Sequence, residues 1–333
     1  MFFLMHAIVL ITNKCNLKCP FCSARWLKEG KETLNKQEIV SLLHELADMK
    51  TMSVAFVGGE PLLSPDLNTY IKEATSLQMS CALSTNGSLI TENKICELKD
   101  AGLKRIQFSL DGPAKIHDAV RGETGLFNKI VKAITYCQKV DLPSNIMFTV
   151  SDFNVDYIEE IVELAEQMGV QLFIERMIGK KDSTFQKKYL SKMLELTEKE
   201  NYNKLIFSND PIIELKRKKS IFPSKGVYGG CTAGVFSCTI SAYGDIYACP
   251  NLPIPLGNIR EQSLNQIWEQ SILLNKFRNR DFLEQSKCAN CDSKKSCAGC
   301  RADAYKCNLP FGKSVLFCKF LNRFLDSHKV SIN

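Results

Sequence analysis

Through the first half of the chain, short apolar runs alternate with longer stretches whose apolar positions recur at helical spacing. The short runs predict strands and the longer ones amphipathic helices, because side chains repeat every two residues on a strand and about every 3.6 on a helix. Strands are expected over residues 7–11, 53–57, 80–83, 105–108, 145–150 and 171–174. Helices are expected over 35–49, 64–77, 92–101, 126–140 and 156–168, with Gly102 and Gly169 placed to end two of them. Such βα units predict an α/β protein built on a parallel sheet, a partial (β/α)6 TIM-like barrel over residues 1–180. Right-handed crossovers bring the C-terminal ends of the strands to one rim.

Polar and glycine-rich segments recur at that rim. Strand one runs into Thr12-Asn13-Lys14-Cys15, strand two into Gly58-Gly59-Glu60-Pro61, strand three into Ser84-Thr85-Asn86-Gly87 and strand four into Ser109-Leu110-Asp111-Gly112. Barrels place their active sites at this end. Gly58 and Gly59 allow close backbone approach, and Glu60 can accept from an ammonium group. Asn86, Ser109 and Asp111 offer amide, hydroxyl and carboxylate partners. In His117-Asp118-Ala119-Val120-Arg121-Gly122, Arg121 suits a bidentate grip on a carboxylate. An ordinary surface ion pair is the alternative for Asp111 and Arg121. Glu175 and Arg176 close strand six and are further candidates for ligand contact.

Strand one also delivers the densest chemistry, Cys15-Asn16-Leu17-Lys18-Cys19-Pro20-Phe21-Cys22, with C-x3-C-x2-C spacing. Thiolates this close can converge on one metal centre from a single loop, and three of them leave one corner open. Zinc would need a fourth ligand, and His6 is the only histidine nearby. A disulfide framework does not suit a long chain without a secretory signal.

The chain carries 15 cysteines in 333 residues, and nine of them lie beyond residue 230. Cys81, Cys96 and Cys137 are scattered singly and read as small buried hydrophobes. Residues 181–225 read as a helical linker, and 226–333 as a second, cysteine-rich domain. There Cys231, Cys238 and Cys249 surround a hairpin turning at Tyr243-Gly244-Asp245, and a helical stretch over 263–279 carries Trp268. Cys288-x2-Cys291-x5-Cys297-x2-Cys300 follows, then Cys307 and Cys318. Taken alone, paired C-x2-C knuckles suit zinc and iron–sulfur equally.

Net charge changes the picture little. At +7 with one dense basic run, over 216–219, the chain gives no reason to expect a nucleic-acid partner. The apolar opening lacks the basic region and cleavage site of a signal peptide, and no run approaches the roughly 18 apolar residues that span a bilayer. A cytoplasmic protein without membrane contact is expected.

The Cys15–Cys22 loop resembles the cluster-binding loop of the radical S-adenosylmethionine (SAM) enzymes. The resemblance implies that Cys15, Cys19 and Cys22 hold a [4Fe–4S] cluster whose fourth iron chelates SAM, and that one electron cleaves SAM to a hydrogen-abstracting 5′-deoxyadenosyl radical. It gives Phe21 a backbone contact with adenine, and Gly58, Gly59, Glu60 and Pro61 the methionine amine. Asn86, Ser109, Asp111 and Arg121 become SAM contacts. The second domain resembles the auxiliary-cluster domain called SPASM, a small α+β unit, departing from it where Cys297 and Cys300 are two residues apart instead of three. That likeness implies one auxiliary cluster on Cys231, Cys238, Cys249 and Cys300 and another on Cys288, Cys291, Cys297 and Cys318. Cys307 competes for either site, and if Cys238 does not ligate, the first auxiliary cluster keeps an open iron.

The resemblance therefore implies an enzyme with SAM, three [4Fe–4S] clusters and an external reductant such as flavodoxin or ferredoxin. A peptide, modified by cross-linking, thioether formation or epimerisation, is the leading substrate expectation. Since strand one opens the sequence, a peptide substrate would need a separate recognition protein or a grip by the SPASM end. Side-chain oxidation of a tetrapyrrole is second, favoured by Cys300-Arg301-Ala302-Asp303-Ala304-Tyr305. Sulfatase maturation fits less well, because Pro250 follows Cys249 where that subfamily has an aspartate. A non-enzymatic iron–sulfur or zinc protein would have no need of the Gly58–Pro61, Asn86 and Arg121 positions.

Overall fold

The computed structural model describes residues 2–22, 32–179, 183–199, 206–208, 210, 231–279, 289–290 and 299–308. Its frame is a single sheet of ten strands in the order β10-β9-β8-β1-β2-β3-β4-β5-β6-β7. Strands β1 (His6–Leu10), β2 (Ser53–Val57), β3 (Ser80–Thr85), β4 (Arg105–Ser109), β5 (Ser144–Val150), β6 (Gln171–Arg176) and β7 (Ile206–Phe207) run parallel in sequence order. The sheet stays open, and its six main strands are those the sequence predicts, as an α/β partial barrel requires. The two-residue β7 was not expected and adds a seventh parallel strand.

Helices α1 (Lys36–Asp48), α2 (Leu67–Ser76), α3 (Glu92–Asp100), α4 (Ala114–Arg121), α5 (Leu126–Lys139) and α6 (Ile158–Met168) fall between the strands, and α7 (Ser183–Thr197) follows β6. Local chemistry sets their ends. Asn35 and Glu38 form a capping box that satisfies the first turn of α1, and the Thr91 hydroxyl caps α3. Gly169 closes α6 in the left-handed conformation at φ 64°, which costs a residue without Cβ nothing.

The two faces of the sheet differ. Val54, Phe56, Leu83, Ile106, Phe108, Ile146, Phe148, Leu172 and Ile174 are buried in the same core as helix residues such as Leu43, Leu46, Ile71, Leu98, Ile130 and Ile161. On the alternate positions Ser84, Gln107, Ser109, Met147, Thr149 and Glu175 are only half-buried. Parallel sheets ordinarily bury both faces in apolar side chains. Here the inner face is polar and only half covered.

The second part of the chain extends this sheet. Strand β8 (Ser237–Ile240) lies parallel to β1, with Ala7 opposite Cys238, and β9 (Asp245–Tyr247) and β10 (Pro255–Asn258) continue as an antiparallel meander. The expected hairpin is present, joined through β8 to the strand that leads into the cysteine loop. The helical stretch expected over 263–279 is two helices, α8 (Leu264–Gln270) and α9 (Ile272–Asn279). Ser271 turns extended between them, and its hydroxyl accepts from Leu274 N–H at 3.3 Å to start the second. Arg278 packs over Trp268 at 4.3 Å and donates to the Trp268 carbonyl at 2.8 Å, fixing the pair against each other. A short helix, α10 (Arg301–Lys306), follows Cys300. Among the described residues no helix is long and apolar enough to cross a membrane.

Candidate active site

The cysteine loop leaves β1 and is laced to its neighbours through backbone. Gly59 N–H donates to Thr12 O and Glu60 N–H to Lys14 O, each at 2.8 Å. A Cβ on Gly59 would lie 2.2 Å from Lys14 O, and one on Gly58, where φ is 159°, would lie 2.4 Å from Thr12 O. The two glycines thus bring strand two's loop against the cysteine loop itself. This close approach sets the shape of the rim beside the cysteines.

Glu60 is fully buried, and its carboxylate already accepts three hydrogen bonds within the protein. It accepts from Thr85 Oγ1 at 2.7 Å, Asn86 N–H at 2.8 Å and Leu62 N–H at 3.0 Å. Burial raises its pKa, against these donors, which favour the charged form. Glu60 is therefore a clamp between the ends of β2 and β3. Asn86 does a related task toward the cysteines: its amide accepts from Ser88 and donates to Asn16 Oδ1 at 3.2 Å and toward Cys15 Sγ at 3.9 Å.

On the other side of the loop, Cys19 is buried whereas Cys15 and Cys22 are exposed. Arg121, in the last turn of α4, donates from Nη1 to Cys19 Sγ at 3.6 Å and from Nε to Asp111 Oδ2 at 2.6 Å. Its guanidinium carbon lies 5.4 Å from the centre of the Phe21 ring. Asp111 is completely buried and also accepts from Thr149 N–H at 3.0 Å. Ser109 sits half-buried on the inner face two residues before it. The carboxylate that Arg121 grips here is thus the protein's own.

Sequence reasoning missed several supports of this rim. His117 Nδ1 accepts from Asp111 N–H at 3.0 Å, and burial, only partly opposed by Asp111, drives its pKa down to about 4. Asn154 donates to the Asp111 and Thr149 carbonyls at 2.9 and 3.0 Å, joining the ends of β4 and β5. The signal was available, because Ser151-Asp152-Phe153-Asn154 is a polar segment at the end of strand five.

A second sulfur group forms where the two parts of the chain meet. Cys231 precedes β8, Cys249 follows β9 and Cys300 caps α10. Burial first, and then the neighbouring Cys231 charge, raise the pKa of Cys249 and Cys300, the latter to about 12. Glu175, on the barrel's inner face, acts on Cys231 and Cys249 in the same direction. Cys238 is set apart from them: it stands within β8 at 1% exposure, in the hydrophobic core, and burial alone raises its pKa to about 12. Cys307 is buried at the C-terminal end of α10. Cys288, Cys291, Cys297 and Cys318 lie outside the described residues.

A buried ion pair fixes this group to the barrel. Arg176 at the end of β6 donates to Asp210 at 3.2 Å and to Asp303 of α10 at 3.1 Å, and Asp303 also accepts from Gly179 N–H at 2.7 Å. Asp303 N–H in turn points to Cys300 Sγ at 3.4 Å. Among the described residues, neither sulfur group has closed to metal-ligand spacing. The donor chemistry still suits iron–sulfur ligation, because Asn86 and Arg121 aim N–H groups at Cys15 and Cys19, and thiolates are what such donors stabilise.

Residues 9–165 match the Radical SAM superfamily, and residues 231–292 match the SPASM iron–sulfur cluster-binding domain. The chain is also 31% identical over 332 residues to an AdoMet-dependent heme synthase of Methanosarcina barkeri, covering 92% of this chain and 94% of that one. It belongs to the radical SAM superfamily, SPASM subgroup. A second AdoMet-dependent heme synthase, from Oleidesulfovibrio alaskensis, is 28% identical, covering 89% of this chain and 82% of that protein. Among solved structures, Streptococcus suis SuiB bound to S-adenosylmethionine aligns with TM-score 0.77 at 18% identity, over 95% of this chain and 77% of SuiB. Native anSMEcpe with bound AdoMet aligns with TM-score 0.72 at 20% identity, over 96% of each chain. At such identities these two establish the fold. The radical SAM and SPASM domains imply SAM and iron–sulfur clusters as cofactors.

Proposed function

We propose that this radical SAM enzyme oxidises a side chain of a tetrapyrrole, in a reaction of the haem-forming kind. The observation that carries it is the similarity to AdoMet-dependent heme synthases over nearly the whole chain. The Cys300-Arg301-Ala302-Asp303-Ala304-Tyr305 segment adds to it, since its pattern resembles that of tetrapyrrole-modifying members. A peptide substrate, the first expectation from the sequence resemblance, finds support in likeness to solved structures such as SuiB bound to its precursor peptide SuiA, at 18% identity. That likeness supports the shared fold and does not choose a substrate.

Cys15, Cys19 and Cys22 would hold the SAM-binding cluster. When bound, SAM and that cluster supply a 5′-deoxyadenosyl radical that takes a hydrogen atom. Around them, Gly58 and Gly59 keep the loop in its curvature, and Glu60 fixes the ends of β2 and β3 on which the methionine end would lie. Pro61 follows Glu60 in the loop after β2, and Asn86 reaches the cysteine loop at Cys15 and Asn16; Ser109 and Asp111 come from the end of β4. Cys231, Cys249 and Cys300 would hold the first auxiliary cluster; the place of Cys238 within β8, buried in the core, supports leaving it out of the ligand set. Cys288, Cys291, Cys297 and Cys318 would hold the second. Flavodoxin or ferredoxin would serve as reductant.

The test is turnover of anaerobically reconstituted protein with SAM and dithionite, offered a panel of carboxylated iron tetrapyrroles and, separately, cysteine-rich peptides. The expected result is 5′-deoxyadenosine formed together with a mass loss in one tetrapyrrole. Turnover coupled only to a peptide, with every tetrapyrrole recovered intact, would overturn the proposal.

A further inference from the structure

Arg121 is held more firmly than a residue waiting for a ligand needs to be. Its side chain is 10% exposed and that of Asp111 is 0% exposed. Both Nε and Nη2 donate to one Asp111 oxygen, while Nη1 points at Cys19. Asp111 is fixed in turn by Thr149 N–H on its other oxygen, by its own N–H on His117 Nδ1, and by Asn154 on its carbonyl. His117 accepts at Nδ1, so as a neutral ring it carries its proton on Nε2, which has no hydrogen-bond partner among the described residues. The ends of two rim strands, β4 and β5, and helix α4 thus aim one cation at one thiol.

The sulfur that receives it is the buried one of the three. A hydrogen bond or cation at a cluster sulfur stabilises the reduced, more negative cluster, and burial strengthens the effect by keeping water away. We infer that Arg121 is a positioning residue that sets the reduction potential of the first cluster through Cys19, and that Asp111 is the counter-charge that limits this effect. The Nε–Nη2 edge of the guanidinium serves Asp111, and one N–H on each terminal nitrogen lies outside these contacts.

The test is a spectroscopic redox titration of reconstituted protein without SAM, so that any contact between Arg121 and SAM is absent. Wild type is compared with Arg121→Met, Arg121→Lys and Asp111→Asn. The signal of the first cluster is identified by its loss in a Cys15/Cys19/Cys22→Ala variant. Arg121→Met is expected to move the potential to more negative values, and Arg121→Lys to move it the same way by less. Asp111→Asn is expected to move it to less negative values. Shifts of opposite sign separate charge tuning from a general loosening of the loop, which would move all variants together. Potentials unchanged in the loaded variants, or shifted in one direction for all, overturn the inference. Should Arg121→Met not take up iron, the signs in Arg121→Lys and Asp111→Asn decide it.

Discussion

The two sulfur groups are built in different ways. Cys15, Cys19 and Cys22 come from one loop, and the rim of the sheet is shaped to receive it: glycines against its backbone, a clamp beneath, a cation at one sulfur. Cys231, Cys249 and Cys300 come from separate stretches, brought near one another among the described residues by β8 pairing with β1 and Arg176 pairing with Asp303. A site on one loop depends on local backbone fit. A site assembled from distant segments depends on the buried contacts that bring them together. The first should fail through the loop's curvature and the second through tertiary pairing.

The largest expected effect is therefore at Arg176. Arg176→Met leaves the Asp210 and Asp303 carboxylates buried without their cation, and breaking such a pair costs about 3–5 kcal/mol. Denaturant unfolding should show this, with iron lost from the auxiliary site while the SAM-responsive signal remains in the folded fraction. Equal loss from both sites would blur the distinction.

His117 sharpens the comparison from the other side. Its pKa falls from 6.5 to about 4 on folding, chiefly through burial. Between those values the unfolded chain binds a proton that the folded one does not, so stability rises with pH across the window and is fully present above it. The change across the window should total about 3 kcal/mol, and His117→Gln should flatten the pH dependence in unfolding measured from pH 4 to 7. A wild-type slope unchanged in the variant would contradict this assignment.

Gly59→Ala comes next. Its Cβ would meet Lys14 O at 2.2 Å, so the cysteine loop must shift. The expected outcome is loss of the first cluster's iron, with auxiliary iron retained and a stability cost of about 1–3 kcal/mol. The smallest effect belongs to Cys238→Ala, which removes one buried sulfur and should cost about 1 kcal/mol without changing iron content. Cys249→Ala, in the same assay, should lose the first auxiliary cluster. Iron lost equally in both would return Cys238 to the ligand set.

How much of this was legible follows the same division. The alternation of apolar runs gave the strands, and the polar segments that end them gave the rim, because both are short-range properties of the chain. The spacing of the first three cysteines carried their grouping for the same reason. Glu60 was harder: its acceptor chemistry was plain, yet only the structure shows its oxygens occupied by Thr85, Asn86 and Leu62. Cys238 reads like any other cysteine between Cys231 and Cys249, and nothing in its spacing tells that it lies within a core strand. Arg176 and Asp303 are 127 residues apart, and no local pattern pairs them.

The most direct measurement is electron paramagnetic resonance of the reconstituted, reduced protein with and without SAM, on wild type and on the Cys15/Cys19/Cys22→Ala variant. Wild type should show one cluster signal that changes when SAM is added, and the variant should lose that signal while keeping the others. A SAM-induced change that survives the triple substitution, or none in the fully loaded wild type, would contradict the placement of SAM chemistry on this loop.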